Sequence, residues 1–256
     1  MLIALALLAV ASGADLFYII YTDQIATTRV DAIATAQAIS TAAIQANATI
    51  TAQAIATATA SVVTANPNPY PPGGGTLALY DPLHDESISS GWDQGSINCA
   101  FTGSAYQVSA INIPHLQYCI AESADFSNFA YEVQMNIFQG DVGGTIFRSD
   151  TTNHTYYSFF VARNGYYSLF VCTSKTCNPP LVSKFSPAIK QGLNQTNWLA
   201  VVAMGTTITL YVNGKQLARV NDSTYSHGHI GLVASPYPKT NDLTEVAYTN
   251  ARVWTL

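Results

Sequence analysis

Charge is scarce in this chain. Asp, Glu, Lys and Arg together supply 10% of its 256 residues, against about 25% in ordinary soluble domains. Ser, Thr, Asn, Gln and Tyr must cover the surface instead, a composition suited to an outer-surface protein. The ten basic residues form no run and the net charge is −5. Nucleic acid is therefore excluded as a partner, because phosphate binding needs a basic patch. Residues 1–75 hold a single arginine, Arg29, and no lysine, cysteine or tryptophan. All four cysteines and all three tryptophans follow Thr76. A globular unit of about 180 residues, large enough to bury its own core, thus follows a non-globular leader. Beyond Thr76 there is no sustained helical periodicity. No nucleophile elbow, phosphate loop or zinc-protease helix occurs either.

The leader divides into three parts. Residues 2–21 are apolar except for Asp15, and twenty apolar residues match the hydrocarbon thickness of a bilayer as a helix. Residues 1–21 are expected to be a transmembrane anchor. The rival is a secretory signal peptide with Ser12 and Ala14 before the cleavage site. Aromatic residues in LFYIIY, after Asp15, favour the anchor because they suit the membrane interface. Either reading places the rest outside the cytoplasm, so the expected location is the cell surface. Residues 22–65 form a low-complexity stretch of Ala, Thr, Ile and Gln. Ile33, Ile44 and Ile55 recur every eleven residues, as do Ile39 and Ile50; that period draws stripes along a helix. The stretch predicts a helical stalk, a spacer that could also self-associate. Residues 66–75, NPNPYPPGGG, read as a stiff linker ending in a flexible joint, and residues 76–256 as the β domain.

Cys99, Cys119, Cys172 and Cys177 are an even set in a chain with an export signal, which reads as disulfides. Of three pairings, Cys99–Cys119 with Cys172–Cys177 is the most parsimonious. A zinc site would want C-x2-C pairs or neighbouring histidines, and neither is present.

The β domain shows period two. Phe129, Tyr131, Val133, Met135 and Ile137 alternate with Ala130, Glu132, Gln134 and Asn136, the pattern of a strand with one buried and one wet face. Asn164-Gly165 and Asn213-Gly214 each separate two such runs, predicting two-residue type I′ hairpins. Many short antiparallel strands give an all-β jelly-roll sandwich. Several segments then resemble concanavalin A-like lectin/glucanase domains, including their laminin-G-like and keto-disaccharide hydrolase-related members: LYDPLHDESISSGWDQG, FSNFAYEVQMNIFQGDVGGTIFRSD, the stretch from Trp198 to Ala234, and TEVAYTNARVW. Their order spans about residues 78–256. The layout of anchor, stalk and head also resembles ectodomains of bacterial surface proteins and receptor-type Ser/Thr kinases, although no kinase motif is present.

The resemblance raises the question of hydrolysis. Retaining glucanases of that superfamily carry acids on one strand in an E-x-D-x-x-E pattern; here Glu132 is followed on its face by Gln134 and Asn136. One acid with amide partners argues for binding without catalysis. Arg148 in GTIFRSD, with Asp150, His154 and Tyr156, reads as a cluster able to hydrogen-bond a sugar or carboxylate, or as an arginine pairing with Glu132 or Asp150 to join two strands. Trp92 would stack on a sugar or fill the core. His227 and His229 read as turn and strand residues. A structural Ca2+ on Asp125 or Asp141 is the one cofactor reading. The chain is thus expected to be a membrane-anchored glycan or surface-ligand binding module. The alternatives are a carbohydrate-active hydrolase using Glu132, and a pilin-like structural subunit. Against the last, position 5 is Leu5 where a pilin start has an acid.

Overall fold

The computed structural model describes residues 24, 26–55, 67–86, 91–94, 97–110, 116–174, 176–236 and 243–256. The chain divides into two compact units, Met1–Thr64 and Ala65–Leu256. In the first, residues 26–55 form one helix, α1. Its threonines turn their hydroxyls back onto the preceding turn: Thr28 donates to the Gln24 carbonyl, Thr35 to Asp31, Thr41 to Gln37 and Thr51 to Asn47, at 2.8–2.9 Å. This back-bonding lets a threonine-rich sequence satisfy its polar groups without leaving the helix. The isoleucine stripes are solvent-facing, with Ile33, Ile39, Ile44, Ile50 and Ile55 all exposed. Among the described residues no helix is long and apolar enough to cross a membrane. The expected anchor, residues 1–21, lies outside the described residues.

The second unit is all β. Its strands are β1 (Thr76–Asp81), β2 (Cys99–Phe101), β3 (Tyr106–Ala110), β4 (Gln117–Phe126), β5 (Phe129–Gln139), β6 (Val142–Asp150), β7 (Thr155–Ala162), β8 (Tyr166–Cys172), β9 (Val182–Phe185), β10 (Thr196–Met204), β11 (Thr207–Val212), β12 (Lys215–Asn221), β13 (Gly228–Ser235) and β14 (Thr244–Thr255). Sheet A runs β12-β11-β10-β5-β14-β3-β2, with β1 also pairing β14. Sheet B runs β4-β13-β6-β7-β8-β9. All pairings are antiparallel. The inward residues of both sheets, among them Phe129, Tyr131, Val133, Phe159, Leu169, Leu210 and Leu232, make one core.

The predicted strand at residues 129–137 is β5, and its expected faces are correct in phase. Its second face is less wet than alternation implies: Ala130 and Glu132 are buried. Residues 67–75 are the reason. They belong to the β unit, and Tyr70 is buried with Ala130, Ala200, Val202, Tyr211 and Trp254 on the outer face of sheet A. The segment read as a stiff linker ending in a flexible joint is a docked strap, because one aromatic among the prolines, Tyr70, finds an apolar seat.

Asn213 and Gly214 both have positive φ (51° and 75°), as a type I′ hairpin requires. The other hairpin differs from expectation. Only Gly165 is positive (88°), and three residues, 163–165, connect β7 to β8, the commoner three-residue loop with a left-handed closing glycine. Both disulfides form in the parsimonious pairing. Tyr248 links the sheets: its hydroxyl donates to the Val233 carbonyl (2.6 Å) and accepts from the Gly144 amide (2.9 Å). A Cβ at Gly143 would meet Met135 Sδ at 2.6 Å, so this stretch of β6 must be side-chain-free for the sheets to approach.

Candidate functional site

Strand alternation sends every second residue of sheet B outward. On β4, β13, β6, β7 and β8 these include Ile120, Val233, Ile146, Tyr156 and Cys172, with Tyr118, Phe160 and Phe170 half-buried around them. Tyr118 and Tyr156 lie 5.4 Å apart between ring centroids, Phe160 and Phe170 5.5 Å. Toward β9 the face opens into a cavity of about 260 Å3, lined chiefly by Phe160, Tyr166, Phe170, Ser168 and Ser183. None of the residues lining it is charged. Ser168 and Ser183 bond to each other at 2.9 Å, whereas the buried Ser158 hydroxyl has no partner among the described residues. Burial, and then Tyr118, push the Tyr156 phenol up to about 12. It stays a neutral donor at any physiological pH. The residues lining this cavity offer ring surfaces and hydroxyls and carry no charge.

The residues singled out in the sequence do not converge. Arg148 and Asp150 line a cleft of about 360 Å3 at one end of the sandwich, beside Thr155, Tyr225, His227 and His229. Tyr156 is on the outer face of sheet B, Glu132 on the outer face of sheet A, and Trp92 in the core. Trp92 donates its indole N–H to buried Asp81 at 3.1 Å, so of its two expected roles it takes the core one. His154 sits in the β6–β7 turn with a φ of 51°. Asp150 caps that turn, accepting from the Thr152 and Asn153 amides and the Asn153 side chain. These bonds, Asn153's first, hold its carboxyl below its ordinary value.

Arg148 has neither acid expected beside it. It is fully buried, and its guanidinium donates to three main-chain carbonyls: Ser127 (2.8 Å from Nη2), Gly205 (3.0 Å) and Tyr225 (3.0 Å). Burial pulls its pKa down. A bulge in β6 between Phe147 and Asp150, with Arg148 itself at a φ of 48°, turns the side chain toward those loops. Nothing in sequence alternation signals such a bulge. Gly228 makes room opposite, since a Cβ there would meet the Ser149 carbonyl at 2.6 Å.

Glu132 pairs instead with Tyr70 and Arg252. Its Oε2 accepts from the Tyr70 hydroxyl and its Oε1 from Arg252 Nη1 at 3.3 Å. Burial raises its pKa, and both partners pull it partly back. Of the residues considered for calcium, Asp141 is engaged by Arg163 (2.6 Å) and Asp125 by His227 (3.1 Å). Among the described residues no three His, Cys, Asp or Glu converge as metal ligands would.

No family model matches the chain, and no curated protein matches it. Solved structures do. The carbohydrate-binding module CBM66 from Bacillus subtilis is 20% identical, with a TM-score of 0.54 over 64% of this chain and 96% of that one. A Bacillus subtilis protein of unknown function with a galectin-like fold is 12% identical (TM-score 0.53, 71% and 96% covered). The catalytic domain of an endo-1,3-beta-glucanase (laminarinase) from Thermotoga petrophila is 8% identical (TM-score 0.51, 71% and 98% covered). The β unit therefore shares the two-sheet jelly-roll fold of these three proteins.

Proposed function

We propose that this chain is a membrane-anchored, extracytoplasmic binding module whose β unit recognises a glycan or glycan-bearing surface ligand on the outer face of sheet B. The observation that carries this reading is the make-up of that face: paired aromatic rings beside serine hydroxyls, with no charge around the cavity. Rings stack on the apolar faces of sugars and small hydroxyls exchange hydrogen bonds with theirs, which suits a mostly apolar concave site with few polar groups. Hydrolysis needs two carboxylates about 5–5.5 Å apart, or wider for inversion. The sheet B cavity is lined by none, and Glu132 is the one carboxylate lining its own cavity. Tyr156 is the residue of the sequence-expected set that lies on the proposed face.

The test is a glycan array probed with the whole chain, then with Phe160→Ala and Phe170→Ala. At least one glycan class should bind, and each substitution should weaken it about tenfold or more, as loss of a stacking partner does. An array without hits, or binding indifferent to both substitutions, would overturn the reading.

The finer parts rest on residues 2–21 and on α1. Resistance of the full chain to alkaline extraction from membranes supports the anchor; release into the supernatant removes it. The eleven-residue stripes of exposed isoleucine suit a second copy of the same helix, which carries the same period and so stays in register along a supercoil. Sedimentation should find the full chain oligomeric, and Ile44→Asp should make it monomeric.

A further inference from the structure

We propose that the outer face of sheet A carries a second site, centred on Arg252 and Lys190, that takes a carboxylate-bearing sugar. The docked strap makes one wall of a cavity of about 580 Å3; Trp198, Tyr211, Lys190 and Arg252 help line the rest. This cavity lies on the sheet opposite the one proposed above to bind glycans, and its chemistry differs. It is the one of the two that presents positive charge.

The sign follows from how each charged group is used. Both Glu132 oxygens accept a bond inside the protein, one from Tyr70 and one from Arg252, which offsets part of the negative charge that the carboxylate presents to the cavity. Arg252 spends only one donor on it. The guanidinium carbon stands 5.4 Å from the ring centroids of both Tyr80 and Trp198. Its side chain is 24% exposed, and Nη2 has no hydrogen-bond partner among the described residues. Held between two rings, the planar cation has already lost most of its conformational freedom. A ligand carboxylate would therefore find it pre-oriented. Lys190 is exposed, its main chain is fixed by Asn197 through both N–H and carbonyl, and its ammonium has no acid partner among the described residues.

The rest of the cavity selects a sugar over a bare anion. The Trp198 indole N–H and the Tyr211 hydroxyl have no protein partner among the described residues, and they sit among proline and aromatic surface. Such a surface suits a pyranose ring, with two spare donors for its hydroxyls. A uronic acid or another acidic pyranose combines the three features required: a carboxylate, an apolar face and hydroxyls.

The test uses the full chain, with Trp198's indole N–H signal as reporter, assigned by its loss in Trp198→Phe. Trisaccharides of galacturonic and of glucuronic acid are titrated beside their methyl esters, which differ only in charge. At least one acid form should shift the Trp198 signal, with its ester at least tenfold weaker. Lys190→Gln, at an exposed position that leaves the fold intact, should weaken the acid form several-fold, and Arg252→Gln tenfold or more. Equal binding of acid and ester, no shift at millimolar sugar, or an unaltered Lys190→Gln protein would each overturn the proposal. Acetate competing as well as the trisaccharide does would reduce the site to a simple anion site and overturn its sugar class. Phe160→Ala tells the two proposals apart, since it damages the sheet B face and should leave this titration unchanged.

Discussion

The regions around Arg148 and Arg252 use the same side chain in opposite ways. Arg148, 1% exposed, gives its donors to carbonyls of three separate connections: β4–β5, β10–β11 and β12–β13. Arg252 touches one carboxylate and two rings, its side chain is 24% exposed, and its Nε and Nη2 have no hydrogen-bond partner among the described residues. The first guanidinium is consumed by the fold, fastening loops that no strand pairing holds together. The second is positioned by the fold and left unsaturated. What separates a structural cation from a recognition cation here is the accounting of its donors, and that depends on where backbone carbonyls happen to converge.

The sharpest way to break this comparison is to remove each charge at similar volume. Arg148→Met leaves three inward-facing carbonyls without a donor and should cost at least about 3 kcal/mol, read by chemical denaturation. Arg252→Met removes one 3.3 Å bond to a carboxylate that keeps its Tyr70 bond and should cost less, about 1.5 kcal/mol, as one hydrogen bond to a charged group does. Equal losses would show that Arg252 is structural too.

Alkaline pH should strain the Arg148 region next. Tyr157 donates to Asp222 and accepts from the Tyr225 amide beside Arg148, and burial pushes its phenol up to about 12. The folded pKa lies above the unfolded value of 10.0. Its contribution is therefore complete below pH about 10 and lost as pH rises from there through about 12, at about 1.4 kcal/mol per unit. Stability measured across that window should fall more steeply in the parent protein than in Tyr157→Phe.

On the Arg252 side, Tyr70→Phe removes the bond between strap and Glu132 and should cost about 1.5 kcal/mol. Limited proteolysis should then cut within residues 67–75 faster than in the parent. An unchanged cutting rate would mean that apolar contact with Tyr211 and Trp254 alone holds the strap. The smallest effect has the opposite sign. Ser158→Ala deletes a buried hydroxyl without a partner on the face of sheet B and should stabilise by up to about 1 kcal/mol; a loss would reveal a bound water.

Much of the fold was legible in advance. Phe129 to Ile137 alternate strictly, and β5 follows. Asn213-Gly214 makes the expected type I′ turn, whereas Asn164-Gly165 closes a three-residue loop. Cys172 and Cys177 pair with each other, and Cys99 with Cys119, the most parsimonious of the three pairings. The strap was not legible, because prolines and glycines describe a stiff, solvated segment and only the apolar seat on sheet A turns Tyr70 into an anchor. The role of Arg148 was hidden for a similar reason. A one-residue bulge re-aims a side chain without leaving a mark on the hydrophobic pattern.

The sequence by itself pointed to a helical stretch, to the two-sheet architecture and to disulfides in place of a zinc site. Each of these depends on local period, turn chemistry or spacing, which neighbours along the chain enforce. The tertiary structure alone decided which arginine is consumed by backbone carbonyls and which keeps an unpartnered nitrogen among the described residues, that Glu132 is bound to Tyr70 across 62 positions, and that the cavities on the two outer faces differ in charge. Those outcomes depend on contacts between residues far apart in the chain, where the free energy of a donor depends on which acceptors the fold brings within reach.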